Sequence, residues 1–259
     1  MELIDIHSHL LPRVDDGSVS VDETIAMLKI AHETGTRKIV LTPHMFLDLF
    51  HNNDFVEIGD RIEQLKLELE SCQDAFPFLE EMHLYSGAEN YASPEFLKAL
   101  DQGCVLTLNG SRYLLLEFYM PLPFSQIQEV IERVSSSGYT PVIAHPERYG
   151  AIQEDPARIE QFWEMGCVVQ VNADSFMGGS GSRAKKCVRR LLTAGVVDVI
   201  ASDGHRLRWR PPNLGRVLTK LEQEYERESV VGWLLDNPGL ILANERLIPA
   251  ASALASVGS

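Results

Sequence analysis

The stretch LIDIHSHLLPRVDDG, residues Leu3–Gly17, decides the fold and supplies the first candidate ligands. Its start, Leu3–Ile6, has the apolar pattern of a strand entering a core. His7 and His9 follow two residues apart, so both imidazoles would lie on one face of a strand. A proline then ends the strand, and the acidic turn Asp15–Gly17 comes next. The stretch predicts a divalent-metal site at a strand end, and the alternative is two packed histidines beside an ordinary turn.

The rest of the chain alternates between strand-like and helical segments, which indicates parallel strands joined by helical crossovers. Seven strand-like runs are present, at Leu3–Ile6, Lys38–Thr42, Met82–Ser86, Tyr113–Glu117, Thr140–Ala144, Cys167–Val171 and Val197–Ala201. The sequence shows no linker or shift in composition. We therefore expect an α/β fold with one domain over residues 1–249, followed by a flexible tail over residues 250–259. A TIM-like barrel of seven β/α units fits this pattern, and an open doubly wound sheet is the alternative.

Composition limits the classes of function. The 259 residues carry a net charge of −14, which disfavours a nucleic-acid surface because such surfaces need a basic stripe. No apolar run is long enough to cross a membrane, and the N-terminus leads straight into a strand, so we expect neither membrane insertion nor a signal peptide. The four cysteines are scattered and form no CxxC motif, which favours reduced thiols in a cytoplasmic protein.

Histidine and acidic residues recur where the predicted strands end. The set of nine is His7, His9, Asp16, His44, Glu89, Glu117, His145, Asp203 and His205. Carboxyl ends of parallel barrel strands share one face, so we expect these side chains to converge on one cavity. A single zinc ion usually takes four ligands, so nine suit two or three divalent ions. Nitrogen and carboxylate donors without thiolate suit Mn²⁺, Fe²⁺ or Zn²⁺.

Clustered ions at an open face can lower the pKa of bound water and clamp a phosphoryl group. Three divalent ions would outweigh the four carboxylates of the set, so an acidic protein can still hold a phosphate here. Arg148 and Arg210 would add positive charge to the same site. For Arg148, the alternative is an ion pair with a neighbouring acid. The set thus predicts hydrolysis of a phosphate ester.

Short motifs at the strand ends carry a resemblance to a known family. They resemble the motifs of the PHP superfamily (polymerase and histidinol phosphatase). In chain order, the motifs are HSH, TPH, GAE, LEF, AHPER and SDGH. Within that superfamily, LLPRVDDG, AHPERY and the Arg-Pro-Pro after SDGH resemble the bacterial PHP-type protein-tyrosine phosphatases of capsule and exopolysaccharide loci. The similarity extends to about Leu247. It implies a distorted barrel, hydrolysis of phosphotyrosine by metal-activated hydroxide without a phosphoenzyme, and a bacterial tyrosine kinase as substrate.

The resemblance also implies a three-ion site that usually uses Mn²⁺. By motif position the ligands would be His7, His9, Glu89 and Asp203 for the first ion, Glu89, Glu117 and His145 for the second, and Asp16, His44 and His205 for the third. Arg148 and Arg210 match family arginines implicated in phosphate binding or catalysis. The sequence favours no particular oligomeric state.

Several alternatives stay open at this point. Arg13 replaces a glycine that is common in such loops and could narrow or charge the rim of the site. The apolar loop at residues 45–53 could be a lid or ordinary packing, and the roles of Arg206 and Arg208 are open. The basic helix Ser182–Thr193 could be a solvated face or a docking surface. A small-molecule phosphoesterase such as histidinol phosphatase, or a non-catalytic binding module, are the alternative functions.

Overall fold

The computed structural model describes residues 1–247, so the predicted flexible tail at 250–259 lies outside the described residues. The strands are β1 (Leu3–Asp5), β2 (Thr36–Leu41), β3 (His44–Met45), β4 (His83–Ser86), β5 (Glu89–Tyr91), β6 (Tyr113–Glu117), β7 (Thr140–Ala144), β8 (Val168–Asn172) and β9 (Val199–Ala201). All pairings between these strands are parallel. The chain therefore has a mixed α/β fold, as the alternation of segments predicts.

Helices connect the strands. They are α1 (Val21–Glu33), α2 (Phe55–Ser71), α3 (Pro94–Asp101), α4 (Phe124–Ser136), α5 (Gly150–Glu154), α6 (Arg158–Glu164), α7 (Ala173–Met177), α8 (Gly181–Thr193), α9 (Leu214–Glu224), α10 (Arg227–Val231) and α11 (Asn237–Leu242). Short 3₁₀ segments lie at Pro77–Glu81, Leu108–Gly110 and Pro146–Arg148, and a π-helical turn lies at Gly232–Asp236. Within the described part of the chain, no helix combines the length and the apolar character needed to cross a membrane.

The strands form two sheets, one in the order β1-β2-β4 and the other in the order β3-β5-β6-β7-β8-β9. The side chains of β6, β8 and β9 are buried on both faces, as expected for parallel strands covered by helices, whereas β4 has no fully buried residue. On β6, Leu114 and Leu116 pack in the large cluster on one face of the sheet, and Leu115 packs in a second cluster on the other face. Because successive side chains pack into a core on opposite faces of the sheet, the strand sequences are nearly continuous runs of apolar residues.

Polar residues at the helix starts fix where several connections begin. Ser20 accepts a hydrogen bond from the backbone N–H of Glu23 at the start of α1, and Asp54 accepts two at the start of α2. Such caps satisfy N–H groups that have no partner inside the helix. The caps thus place the starts of α1 at Val21 and of α2 at Phe55.

The prediction of seven strands differs from the structure, in which residues 1–247 contain nine. The two additional strands, β3 and β5, follow short breaks after β2 and β4. The break at Pro43 comes where a residue without an N–H cannot continue a ladder. The chain then pairs again in the second sheet, with His44 opposite Glu89. This pairing places two of the nine candidate ligands side by side.

A second difference concerns Pro238. Proline inside a helix usually ends it, yet helical structure continues across Asn237-Pro238, from Arg227 to Leu242. Proline is tolerated in the first turn of a helix because its missing N–H would have no helical partner there. The π-helical turn at Gly232–Asp236 comes immediately before α11 and lets the proline occupy that position.

Hydrogen bonds beyond the named strands connect the two sheets. Past β1, the N–H of His9 donates to the carbonyl of Gly204 at 2.7 Å, and the N–H of Asp203 donates to the carbonyl of His7 at 2.9 Å. On the other side, the N–H of Thr42 donates to the carbonyl of Ser8 at 2.8 Å. The segment after β1 thus lies between the segments that follow β9 and β2.

Candidate metal centre

The nine candidate ligands lie at one end of the strands. His7 and His9 follow β1, and Asp16 lies in the turn beyond them. The remaining positions are His44 at the start of β3, Glu89 at the start of β5, Glu117 at the end of β6, His145 directly after β7, and Asp203 and His205 after β9. All nine side chains are buried except that of Asp16, which is 47% exposed. Asp16 therefore stands at the opening of a deep site.

These side chains form four overlapping groups in which the potential ligand atoms lie within 4.8 Å of one another. The groups are His9, Asp16, His44 and His205; His7, His9 and Glu89; His7, His145 and Asp203; and His44, Glu89 and Glu117. Every one of the nine residues belongs to at least one group. The overlap through His7, His9, His44 and Glu89 makes this a single continuous cluster.

The grouping differs in detail from the ligand sets that the resemblance implied. His9 joins Asp16, His44 and His205, and His44 joins Glu89 and Glu117. His145 lies with His7 and Asp203, although its Nε2 is also 2.8 Å from Glu89 Oε1. The division of the nine residues among individual ions therefore stays a prediction.

The electrostatics of the cluster favour positive charge. Burial lowers the pKa of the His44 imidazole, but the carboxylates of Glu89 and Glu117 together outweigh burial and raise that pKa to about 9. Burial, and then the neighbouring Glu89 carboxylate, raise the pKa of Glu117 to about 7. Protons on imidazoles and carboxyl groups thus balance the negative charge in the cluster, a role that divalent ions fill in metal sites.

Buried polar atoms without hydrogen bonds are a second indication of a cation site. Within residues 1–247, they include Nδ1 of His44, Oε2 of Glu89, Nδ1 of His145 and Oδ1 of Asp203. Leaving such atoms unpaired is costly, and a bound ion would satisfy them. The donor set consists of imidazole nitrogen and carboxylate oxygen, which suits borderline and hard divalent ions. These residues fit a cluster of divalent metal ions.

Two arginines reach the cluster from the strand-end loops. Arg210 donates from Nη1 to Asp203 Oδ2 at 2.5 Å, and its side chain is 9% exposed. Arg148 Nη1 lies 3.6 Å from the same carboxylate oxygen, and its side chain is 33% exposed. The predicted alternative for Arg148, an ion pair with an acid, is present, but that acid belongs to the cluster itself. Both guanidinium groups thus border the site.

The backbone is strained at the same place. His145, Asp203 and Arg210 have φ values of 35°, 50° and 59°, in the left-handed region that non-glycine residues rarely adopt. Such conformations cost free energy, and they cluster at functional sites where the surrounding structure holds them. Here three candidate site residues adopt this strained conformation beside one cluster.

Sequence reasoning missed Asp15, the neighbour of the predicted ligand Asp16. Its Oδ2 lies 2.8 Å from His9 Nδ1 and accepts a hydrogen bond from the N–H of His44 at 3.0 Å. Its side chain is fully buried, whereas Asp16 is half-exposed. Asp15 therefore orients a candidate ligand histidine from behind, as carboxylates commonly do at metal sites.

Gln170 and Asn172 on β8 were also missed. Both are completely buried, and they contact the candidate ligands His7 and Asp203. The available signal was two polar residues that alternate along the otherwise apolar strand CVVQVN. Alternate residues share one face of a strand, so the pattern could have placed them toward the site.

The cluster opens into a cavity of about 260 Å³ with an apolar and aromatic rim. Leu49, Tyr119 and Trp209 line the cavity and are 74%, 60% and 59% exposed. The loop at 45–53, predicted to be either a lid or ordinary packing, has residues of both kinds. Phe46 is buried and packs edge-on to Phe96, whereas Leu49 and its neighbours border the cavity. The loop therefore contributes both to packing and to the rim.

The three arginines whose roles the sequence left undecided, Arg13, Arg206 and Arg208, are not among the residues that line the cavity. Arg13 has a φ of 65°, which explains why glycine suits this position, and its Nε donates to the carbonyl of Val19. Arg206 pairs with Glu23 at 3.1 Å. Arg208 is exposed. Arg13 and Arg206 thus support neighbouring loops.

Comparison with known proteins agrees with this geometry. The family described as "Capsular polysaccharide synthesis, CpsB/CapC" matches residues 3–243. The tyrosine-protein phosphatase CpsB of Streptococcus pneumoniae is 32% identical over 248 residues, covering 94% of this chain and 99% of that protein. A crystal structure from a study of YwqE from Bacillus subtilis and CpsB from S. pneumoniae, described as unique metal-dependent tyrosine phosphatases, superposes with a TM-score of 0.85 at 30% identity. It covers 95% of this chain and 96% of the solved chain.

A more distant structure shares only the fold. An organophosphorus hydrolase variant from Deinococcus radiodurans superposes with a TM-score of 0.57 at 12% identity, covering 93% of this chain and 92% of its own. The family match spans nearly the whole described chain and confirms the resemblance seen in the motifs. This chain belongs to the CpsB/CapC family of capsular polysaccharide synthesis.

Proposed function

We propose that this chain is a metal-dependent protein-tyrosine phosphatase that hydrolyses phosphotyrosine without a phosphoenzyme. The observation that carries the proposal is the convergence of nine nitrogen and oxygen ligands in one continuous cluster, with Arg148 and Arg210 at its border. The relatives named as tyrosine phosphatases match more than nine-tenths of the chain and support the same reaction.

The nine residues would hold two or three divalent ions, with Mn²⁺ as the expected metal and Fe²⁺ or Zn²⁺ as alternatives. Such ions lower the pKa of water, so that it can act as a nucleophile at neutral pH, and neutralise phosphate charge. The buried carboxylates Glu89, Glu117 and Asp203 would bind the ions, and Asp16 would complete the set at the opening. The acidic chain would thus become positive locally where the substrate binds.

The chain's own cations would position the phosphoryl group. Arg148 is the more exposed of the two arginines, and its planar guanidinium can bind two phosphoryl oxygens at once. Arg210 is held against Asp203 and packs over the Trp209 ring at 4.9 Å, so its charge is fixed in place. Both would stabilise the charge that develops during transfer. Tyrosinate, with a parent pKa near 10, is a fairly good leaving group.

The two buried cysteines do not fit the other common mechanism for tyrosine phosphatases, which uses a thiolate nucleophile. Burial raises the pKa of Cys167 and of Cys187 to about 12, the opposite of what a reactive thiolate needs. All four cysteines are free thiols. Free thiols fit a reducing compartment, and we propose a cytoplasmic location on that basis.

The rim favours an aryl phosphate over a small alkyl phosphate such as histidinol phosphate. Leu49, Tyr119 and Trp209 offer apolar surface at the height of the opening, where a phenol ring attached to the bound phosphate would lie. We propose a phosphotyrosine protein as the substrate. The family's description as capsular polysaccharide synthesis supports a bacterial tyrosine kinase that controls capsule or exopolysaccharide formation.

We also propose that the two sheets are parts of one distorted barrel with seven β/α units in a single domain. On this interpretation, β2 with β3 and β4 with β5 are each one interrupted strand. The hydrogen bonds from His9 to Gly204 and from Thr42 to Ser8 support closure, because they join the segment after β1 to the segments after β9 and β2. Distant phosphate-ester hydrolases with the same fold support it as well.

The test measures hydrolysis of a tyrosine-phosphorylated peptide by metal-stripped protein before and after addition of Mn²⁺, Fe²⁺ or Zn²⁺. We expect activity that requires metal and that His145→Ala abolishes. His32→Ala is the matched control, because His32 lies on α1 and pairs with Glu81 outside the cluster. Inactive, folded and metal-loaded wild type would refute the proposal. Preference for histidinol phosphate in a parallel assay would instead favour the small-molecule phosphoesterase.

A further inference from the structure

Strand β8 brings two amide side chains into contact with the cluster. Gln170 and Asn172 are two residues apart and completely buried. Buried amides are costly unless their hydrogen bonds are satisfied, and apolar residues would fill a strand core more cheaply. The presence of two buried amides on this strand therefore indicates a role other than packing.

The two amides form a continuous chain of hydrogen bonds between two candidate ligands. Gln170 Oε1 lies 2.8 Å from His7 Nδ1, and Gln170 Nε2 donates to Asn172 Oδ1 at 2.9 Å. Asn172 Nδ2 then donates to Asp203 Oδ2 at 2.6 Å. His7 and Asp203 are members of the same ligand group, so the chain links two ligands from behind.

The direction of this chain follows from Asp203. An ionised carboxylate only accepts hydrogen bonds, so the NH₂ group of Asn172 must face it. The oxygen of Asn172 then faces Gln170 and requires its NH₂ group, which leaves the oxygen of Gln170 facing His7. An amide oxygen can only accept, so His7 must carry its proton on Nδ1.

This protonation leaves the lone pair of His7 Nε2 directed into the cluster. Nε2 lies 3.3 Å from Glu89 Oε1 and 3.5 Å from Asp203 Oδ1. A histidine ligand needs a free lone pair on the nitrogen that faces the ion, and a hydrogen bond at its other nitrogen sets which one that is.

We propose that Gln170 and Asn172 are positioning residues that hold His7 in the Nδ1–H tautomer and hold Asp203 in orientation, so that both ligands face the same ion. Amides do this without adding a further negative charge to a cluster that already contains four carboxylates. The inference rests on the proposed function for the presence of metal, but the tautomer of His7 is a property of the metal-free chain.

The first test reads the tautomer directly. In metal-free protein at alkaline pH, where the ring is neutral, nitrogen NMR shifts of His7 should show a proton on Nδ1. Gln170→Met keeps similar volume but removes the acceptor, and we expect it to produce a mixture of tautomers. An unchanged tautomer in Gln170→Met would overturn the proposal, whether or not the chain proves to be a phosphatase.

The second test measures Mn²⁺ affinity by calorimetry for Gln170→Met, Asn172→Ala and the double variant. We expect roughly 10- to 100-fold weaker binding for each single variant, and a double variant no weaker than the worse single one, because the two amides act as one unit. Asn237→Ala is the control, since its amide bonds only the carbonyl of Asp198. If the losses of Mn²⁺ affinity in the two single variants add up in the double variant, or if the affinity is unchanged, the proposed role of the two amides is wrong. If Gln170→Met fails to fold, Asn172→Ala, which removes the amide beside Asp203, is used to measure both the tautomer of His7 and the Mn²⁺ affinity.

Discussion

At the scale of single residues, Asp198 links stability to pH. It is 3% exposed, and its Oδ2 accepts a hydrogen bond from the N–H of Val169 at 2.8 Å. Burial raises the pKa of its carboxyl to about 7, above the value near 3.9 of an unfolded chain. The folded state therefore holds more protons between these two values, and stability should fall as pH rises from about 4 to about 7.

Asp198→Asn keeps an acceptor for Val169 but cannot ionise. We expect its free energy of unfolding to exceed that of wild type increasingly with pH, by a few kcal/mol above pH 7. Urea unfolding of both metal-free proteins at pH 5 and pH 8 measures this, and titration of the cluster cancels in the difference. Exposed Asp74→Asn is the control. A pH-independent difference between Asp198→Asn and wild type would show that the raised pKa is wrong.

Residue identity predicted the clustered side chains better than it predicted the residues that support them. Histidine and acid at strand ends indicated the cluster, because barrel topology brings those ends together. The sequence of the doublet Asp15-Asp16 does not distinguish the two carboxylates. In the folded chain, Asp15 contacts His9 from behind, whereas Asp16 lies at the opening beside His205. Such roles depend on distances that only the folded chain sets.

At the scale of elements, the loops after β3, β6 and β9 build the rim together. We predict that the double variant Leu49→Ala/Tyr119→Ala raises KM for a phosphotyrosine peptide and for phenyl phosphate about ten-fold. The reason is lost apolar contact with the ring, on the order of 1–2 kcal/mol. KM for a small alkyl phosphate should stay unchanged. Steady-state kinetics with the three substrates measures the effect.

Leu67→Ala provides the matched control for that variant. Leu67 is 65% exposed on α2 and does not line the cavity. We expect its kinetic constants to equal those of wild type. An equal rise in KM for aryl and alkyl phosphates in the rim variant would mean that the rim acts on the phosphate site itself and does not select the ring.

Element boundaries show where local sequence is insufficient. The long helices α1 and α2 begin at caps that are recognisable in the sequence, Ser20 and Asp54. Strands β3 and β5 contain two and three residues, too few for a periodic signal. They exist because His44 pairs with Glu89 and Asn90 pairs with Leu116, and these contacts between distant segments carry no local pattern.

At the scale of the whole molecule, the cluster joins segments from both sheets. His7 and His205 lie near opposite ends of the described chain, yet both imidazoles lie beside that of His9, with ring centroids 5.3 Å and 3.9 Å away. The net charge of −14 indicates a repulsive surface overall. An ion bound at the cluster would therefore both reduce repulsion among buried carboxylates and connect the two sheets.

Metal removal should consequently destabilise the entire fold. A ligand at 100 times its Kd stabilises by about 2.7 kcal/mol, which corresponds to a rise in Tm of roughly 5–10 °C for a chain of this size. We predict that Mn²⁺ raises the Tm of chelator-treated protein by this amount in one cooperative transition, measured by circular dichroism. His145→Ala should lose most of the rise, whereas His32→Ala should keep it. Identical Tm values with and without saturating Mn²⁺ would mean that the nine side chains do not bind the metal as one site.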